Sequence, residues 1–335
     1  MLESPSQVAL EGTAAGPLTL REIARPEPGP GEVRLRVDAC GVCHTDLHTA
    51  EGDLALPRLP IVPGHQVIGT VDAVGPGVAD VPIGTRRGAY WLRRACGTCA
   101  ACLRGEENLC ERAEFNGLHG HGGYAEWMTV PAAYTVPIPE RMESHAAAPL
   151  LCAGVIGYRS LRLADFHPGG TVALFGFGAS AHLVLQLAAR QDAKVFVFTR
   201  GESHRRLARE LGASWAGMPG DEAPELADSA VTFAPAGSVV PQALQAVRPG
   251  GTVAINAVHM SDIPSMPYSL LYGERTLRSV ANLTAQDARD FIALADRLDI
   301  RAQFTTYPFT AANEALQDMK ASRVDGAAVL DVGGA

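Results

Sequence analysis

An α/β fold in two parts, an irregular and mostly β domain followed by parallel βαβ units, is what this chain predicts, and three observations carry the prediction. Up to about Cys152, short β-type runs are punctuated by Gly and Pro; beyond Pro168, strand-like and helix-like runs alternate. At the first strand-to-helix junction of that second part stands the turn Gly176-Phe177-Gly178-Ala179-Ser180-Ala181. At 335 residues the chain exceeds the usual limit of one core, so two domains are expected. Hydrophobic residues at 47% against 19% charged supply apolar surface for both.

In the first part Val33, Leu35 and Val37 alternate with polar residues as a half-buried strand does, and further strands are expected from Val67 to Val74 and from Tyr124 to Val130. In the second, strands are expected at Thr171 to Phe175, Val195 to Thr199, Val231 to Phe233 and Thr252 to Asn256. Helices are expected at Ala179 to Arg190, Ser203 to Leu211 and Val239 to Ala246. Gly250-Gly251 reads as a plain turn between helix and strand. The tail offers a helix from Ala285 to Leu298 behind the cap Thr284, and another from Ala311 to Ser322. The most apolar stretch, Thr171 to Ala189, is interrupted by Gly176, Gly178 and His182; it reads as a buried strand running into a helix, so no membrane partner is expected. A net charge of −8 argues against nucleic acid, whose phosphates need a basic face.

The glycine turn gains meaning from its context. After an apolar strand and before an amphipathic helix, Gly176 allows the tight turn, Gly178 lets backbone approach a pyrophosphate, and the small residues Ala179 and Ala181 keep the helix close. A dinucleotide is therefore expected here, against the plainer alternative of a turn made only for packing. The second strand ends Phe196-Val197-Phe198-Thr199-Arg200, without the acid that holds adenosine ribose hydroxyls in NAD sites. Thr199 and Arg200, with Arg205 nearby, could instead accept a 2′-phosphate, so the expectation leans to NADP(H) over NAD(H).

Cys96, Cys99, Cys102 and Cys110 form the pattern C-x2-C-x2-C-x7-C. Four soft thiolates suit one tetrahedral Zn2+ and leave it no open position, which makes this cluster structural. Disulfides and an iron-sulfur cluster are the alternatives; the spacing differs from iron-sulfur runs, and no signal peptide points to an oxidising compartment. A second set of ligand types, Cys43, His44, His48, His65 and Cys152, is scattered around the first. Cys40-Gly-Val-Cys43 could be a redox pair, but it precedes the βαβ region and runs on into His44-Thr45-Asp46-Leu47-His48.

Taken in order, Cys40-Gly-Val-Cys-His-Thr-Asp-Leu-His48, Pro63-Gly-His-Gln-Val-Ile-Gly69, the four-cysteine lobe, Cys152-Ala-Gly-Val155 and the glycine turn resemble the zinc-dependent alcohol dehydrogenases of the medium-chain dehydrogenase/reductase family, over nearly the whole chain. That resemblance implies a GroES-like β catalytic domain over 1–153, a Rossmann doubly wound parallel-sheet NAD(P) domain over 154–281, and a segment 282–335 returning to the first domain. It implies two Zn2+ per subunit, one held by Cys43, His65 and Cys152 for catalysis and one by the four-cysteine lobe. It further implies Thr45 and His48 as proton relay, Asp46 as partner of His65, His44 as a contact to the cofactor pyrophosphate, and Trp91, Leu92 and Leu54 as pocket lining.

The chemistry of these residue types agrees with those roles. Two thiolates and an imidazole leave zinc a fourth position for an alcohol or carbonyl oxygen, and a hydroxyl followed by an imidazole can carry the alcohol's proton to water by way of the cofactor ribose. The expected activity is interconversion of alcohols with aldehydes or ketones by hydride transfer to or from NAD(P), on a small-molecule substrate, in a cytoplasmic homodimer or homotetramer. A polyol or cinnamyl-alcohol-type reductase on the same site is the nearest alternative. A non-catalytic zinc and nucleotide sensor is the rival from another class, and it would not require the Thr45/His48 pair. Three positions depart from the family pattern: Gln66 where relatives commonly have Glu, Ile156 where Thr is frequent, and Asp325-Gly326-Ala327 where many relatives have an Arg.

Overall fold

The computed structural model describes residues 6–12, 16–324 and 326–334. They fall into two compact units: Met1–Cys152 with Asn282–Asp296 and Arg301–Ala335, and Ala153–Ala281 with Arg297–Ile300.

The first unit is organised on the long strand Glu32–Val42, in which Val33, Leu35 and Val37 are buried as their alternation requires. It pairs antiparallel with Gln66–Val74, Trp127–Pro131 and Ala327–Asp331. Arg86–Ala89 and Thr135–Pro137 extend the sheet on one side, and Phe304–Pro308 closes the other. The C-terminal helix Ala312–Lys320 sends Ala312, Ala315 and Leu316 into the same core as Val33, Leu35 and Met128. The strand expected from Tyr124 begins only at Trp127, because the Tyr124 N–H and carbonyl are bonded to Pro63 and Leu10 instead of to a sheet neighbour.

In the second unit six strands form a wholly parallel sheet in the order Trp215–Gly217, Lys194–Phe198, Thr171–Phe175, Ala227–Thr232, Val247–Ile255, Thr276–Ser279. Counted along the chain this is 3-2-1-4-5-6, the doubly wound Rossmann order whose reversal lies beside the first strand. Strand Ala227–Thr232 starts four residues before the sequence reading, since the polar Asp228 is satisfied there by the Thr171 N–H at 2.8 Å and by Arg248 at 2.7 Å. Gly250-Gly251 is not a helix-to-strand turn. It lies inside Val247–Ile255, whose pairing shifts register, and Gly250 takes φ +75 and bonds Gly273 outside the ladder. The stretch Thr171 to Ala189 is resolved into a strand and the helix Ala181–Ala189; no helix among the described residues is long and apolar enough to cross a membrane.

Candidate metal centre and dinucleotide turn

Helix His44–Glu51 begins directly after Cys43, and Asp46 at its third position explains why. One Asp46 oxygen accepts the Cys43 N–H at 2.9 Å, closing the helix start, while the other accepts the Gly64 N–H at 2.9 Å and lies 3.3 Å from His65 Nδ1. A single carboxylate thus ties the Cys43 loop to the His65 loop, and serves as turn residue and imidazole partner at once. The Nδ1 contact is off the hydrogen-bond axis, so this buried nitrogen has no well-aligned partner among the described residues.

Cys43, His65 and Cys152 each offer a ligand atom, and these atoms lie within 4.8 Å of one another. Burial alone would lower the His65 imidazole, but Asp46 and the Cys43 thiol hold it up, to about 10. Cys43 is pushed down, first by the Cys152 thiol donating to it and then by His65, whereas the same contact with Cys43, with burial, pushes Cys152 up. Such a crowded set of two thiols and an imidazole, one of them already favoured as thiolate, matches the donor chemistry of a three-ligand zinc site. Thr45 Oγ1 is 3.9 Å from Cys43 Sγ, and half-buried His48 is one helical turn further on. Exposed His44 occupies the helix's first position.

Asp53 was not foreseen. The His48 Nδ1–H donates to the Asp53 carboxylate at 2.9 Å, which fixes the ring's tautomer and leaves Nε2 as the acceptor. Phe115 was also missed: it stacks on Trp91 at 4.8 Å and 12°, and Trp91 in turn meets the His65 ring edge-on at 4.9 Å. Leu92, expected to line the substrate space, is fully buried on strand Leu92–Arg94 and presents no surface to a ligand; Leu54 is half-buried. His119 and His121 lie outside both clusters, each accepting a backbone N–H at Nδ1, from Phe115 and Val62. Gln66 is buried beside Gly41. Ile156 is half-buried on helix Ala153–Leu163, Ala327 opens the strand Ala327–Asp331, and Asp325 lies outside the described residues.

Gly64 sets the direction of His65. Its φ is +96, and a Cβ would stand 2.5 Å from Tyr124 Cδ1 and 2.8 Å from Cys40 Sγ, both buried. Gly64→Ala is expected to cost about 2–4 kcal/mol of stability, from left-handed strain plus overpacking, and to weaken metal retention together with it. Denaturant unfolding alongside metal content checks this; a melt and a zinc content equal to the parent's would show that the loop relaxes freely.

Cys96, Cys99, Cys102 and Cys110 bring their sulfurs within the same 4.8 Å limit. All seven cysteines are free. The Cys96 to Cys102 sulfur distance is 3.8 Å. Metal–sulfur bonds of about 2.3 Å place the edges of a tetrahedron at about this length. The Cys96 sulfur accepts from the Thr98 and Cys99 N–H groups at 3.5 and 3.3 Å, which lowers its thiol to about 5.

In the second unit, Gly176 takes φ +94 with Ala234 N at 2.9 Å from where a Cβ would be, so no side chain fits. A Cβ on exposed Gly178 would meet nothing within 4 Å, the open cradle that close backbone approach to a pyrophosphate needs. Ala179 and Ser180 belong to the turn, and the helix starts two residues later than expected, at Ala181. Ala181 is fully buried and acts in packing, not in contact with a ligand. Behind the turn a cavity of about 420 Å³ is floored by Phe175 and Phe198, stacked at 4.4 Å and 3°, with Gln242 and Asp221 on its walls. Thr199 is buried with its N–H on Gly217; Arg200 is exposed and its side chain has no partner among the described residues.

Two family models match, one described as an alcohol dehydrogenase GroES-like domain over residues 29–140 and one as a zinc-binding dehydrogenase over residues 179–297. A probable alcohol dehydrogenase, AdhA, of Mycobacterium tuberculosis is 45% identical over 321 residues, 94% of this chain and 93% of that protein. Among solved structures, a cinnamyl alcohol dehydrogenase of Sorghum bicolor superposes with a TM-score of 0.90 at 25% identity, covering 99% of each chain. An acetophenone reductase from Geotrichum candidum, in complex with NAD, does so with 0.86 at 27%, again over 99% of each. With two thirds of its length in those domains and nearly all of it aligned to such relatives, the chain belongs to the zinc-dependent alcohol dehydrogenases of the medium-chain dehydrogenase/reductase family.

Proposed function

We propose that this chain uses NADP(H) in preference to NAD(H), one zinc at Cys43, His65 and Cys152 and another at the four-cysteine lobe, to interconvert small alcohols with aldehydes or ketones. The observation that carries this reading is the three-ligand cluster with a hydroxyl and an imidazole beside it on the same helix. A zinc held there supplies a Lewis acid for the alcohol or carbonyl oxygen, and the nicotinamide supplies the two-electron hydride partner. The chain's own part is to orient and to move a proton. Asp46 steadies the His65 ring, the Thr45 hydroxyl accepts the alcohol's proton as it gives up its own, and His48, held at Nδ1 by Asp53, passes a proton outward.

The aromatic pair Trp91 and Phe115 beside His65 favours aryl or aryl-alkyl alcohols, the reading closest to cinnamyl-alcohol-type reduction. Screening both coenzymes against aliphatic, aryl and polyol substrates, with metal analysis of the same sample, tests the whole proposal. No turnover with any alcohol, in a sample holding two zincs, would point to the sensor. A homodimer or homotetramer is supported by the open edge strand Thr276–Ser279 and by exposed Val258, Tyr268 and Tyr272. Light scattering of the purified chain decides between these and a monomer.

Coenzyme choice has its own test. With Thr199 at the end of the second strand, the acid that in NAD sites accepts the ribose hydroxyls and would repel a 2′-phosphate is missing from that position. A charge-assisted bond contributes roughly 1.5–3 kcal/mol, so the expected preference for NADP in kcat/KM is about tenfold or more. Thr199→Asp combined with Arg200→Ile should reverse it. A parent enzyme that strongly prefers NAD would refute this reading.

A further inference from the structure

We infer that a cavity beside the first hairpin binds a free α-amino acid with an aliphatic side chain, its carboxylate held by Arg58, His121 and Gln7 and its ammonium by Glu11.

Strands Ser6–Glu11 and Thr19–Ala24 pair antiparallel, and the hairpin is pinned to the rest of its unit along the first strand. The Leu10 N–H donates to the Tyr124 carbonyl at 2.8 Å, and the Trp127 N–H to Gln7 Oε1 at 2.8 Å. Just past the strand, Gly12 and Ile61 exchange N–H bonds at 2.8 and 3.1 Å. Between these ties a cavity of about 330 Å³ remains, the size of a small-molecule site. Ile23, Val62, Trp127 and Met128 give it apolar wall, and it shares no residue with either metal cluster.

Four polar side chains on this cavity have bonds to spare. Gln7 is 5% exposed; its Oε1 is taken by Trp127, and its amide N–H groups have no partner among the described residues. His121 Nδ1 accepts the Val62 N–H at 3.1 Å, which places the ring proton on Nε2. Burial, then the charges of Arg58 and Arg93, push this imidazole down to about 4, so at neutral pH it is an uncharged donor. Exposed Arg58 and half-buried Glu11 carry opposite charges on one cavity, yet neither forms an ion pair among the described residues. Arg93 is committed: Nη1 donates to Asn116 Oδ1 at 3.2 Å and to the Thr129 carbonyl at 2.6 Å, and Nη2 donates to Glu32 at 2.7 Å.

A guanidinium and a carboxylate that line one space without meeting leave both charges to an occupant that carries both signs. An α-amino acid does. Its carboxylate accepts from the Arg58 fork, the His121 Nε2–H and the Gln7 amide, and its ammonium donates to Glu11. An aliphatic side chain then covers the apolar wall. A simple anion would face Glu11 unopposed, and a simple amine would leave the three donors unmatched.

The test is calorimetric titration of the whole zinc-loaded protein with L-leucine, with 4-methylpentanoate, which lacks the ammonium, and with 3-methylbutylamine, which lacks the carboxylate. Leucine should bind about tenfold or more tightly than either fragment, since each forfeits a charge-assisted contact. Glu11→Gln should weaken leucine by about tenfold and leave 4-methylpentanoate no weaker. Arg58→Ala should weaken both by about fivefold at most, because this guanidinium is exposed. Amino acids also chelate zinc, so the Cys43→Ala protein is titrated beside the parent, and its affinity for leucine should equal the parent's. A parent that does not bind leucine overturns the inference, as does one that binds either fragment equally well. Leucine binding that survives both Glu11→Gln and Arg58→Ala, or that vanishes in Cys43→Ala, places the ligand elsewhere and overturns it too.

Discussion

Replacing Cys43 by Ala is expected to end turnover in a chain that stays folded, while Cys99→Ala damages the fold before the chemistry. The two clusters differ in what a metal held there would do. Cys43, His65 and Cys152 offer three donors, so a zinc held there would keep a position for substrate and could supply several kcal/mol to the transition state. Its loss corresponds to a fall of about a thousandfold or more in kcat/KM. The fold around Cys43 does not depend on that metal: Asp46 already ties its backbone N–H to Gly64, and Leu47 is anchored in the core. A melting temperature within a few degrees of the parent's is expected.

The lobe has less support. Cys96, Cys99 and Cys102 are only half-buried, the single α-helical turn Ala100–Leu103 buries none of its residues, and Leu103 is 75% exposed. Little apolar area holds the segment in place beyond buried Asn108 and Cys110 and the bonds of Glu107 to Ala285 and Tyr134 to Ala95, so a zinc on the four thiolates would add binding energy that is also folding energy. Cys99→Ala should lose that zinc and melt lower by about 5–10 °C, while the Cys43→Ala protein keeps one zinc per subunit. Metal analysis, thermal melts and initial rates on the two variants check all of this together. Parent-like activity in the Cys43 variant would remove the catalytic assignment.

The four-cysteine lobe was legible in its spacing, because four soft thiolates so close together admit few uses, whereas Cys43, His65 and Cys152 stood in a scattered set with His44 and His48 and were singled out only by the family resemblance. The parallel sheet was partly legible: Val195 to Thr199 and Val239 to Ala246 carry their periodicity openly and shift by a residue or not at all, whereas strands Ala227–Thr232 and Val247–Ile255 start four and five residues before their expected positions and the edge strands Trp215–Gly217 and Thr276–Ser279, short or exposed, were not foreseen. What sequence could not reveal were partners made by folding. Asp53 is an unremarked acid behind a helix-ending glycine until the helix brings His48 to 2.9 Å from it. Arg205 beside Arg200 looks like a second phosphate ligand, and only the distances show its N–H groups turned inward to carbonyls. Gly250-Gly251 carries the same letters whether it ends an element or bulges inside one, and the neighbouring strands decide.

The relay gives the other large effect. Thr45→Val keeps the shape of the side chain and removes its hydroxyl, so the alcohol's proton loses its first acceptor and turnover should fall by about 10²–10⁴-fold, the usual contribution of positioned proton transfer. His48→Gln should cost less, because water can take the proton at this half-exposed position, and the loss should concentrate on the acid side of the pH profile, where water is the poorer base. Asp53 separates a relay from simple packing. With Asp53→Leu the His48 ring loses the acceptor that keeps its proton on Nδ1, but the pair is exposed and such pairs contribute up to about 1 kcal/mol, so the fall should be about fivefold at most. Asp53→Asn, whose amide oxygen can still accept from Nδ1, should recover most of it. In the His48→Gln background the Asp53 substitution should have no further effect, since Asp53 acts only through that ring. Full pH profiles of kcat/KM for the single and double variants measure this, and a His48→Gln enzyme with the parent's profile, or an Asp53→Leu effect that persists without His48, would show that the proton leaves by another route.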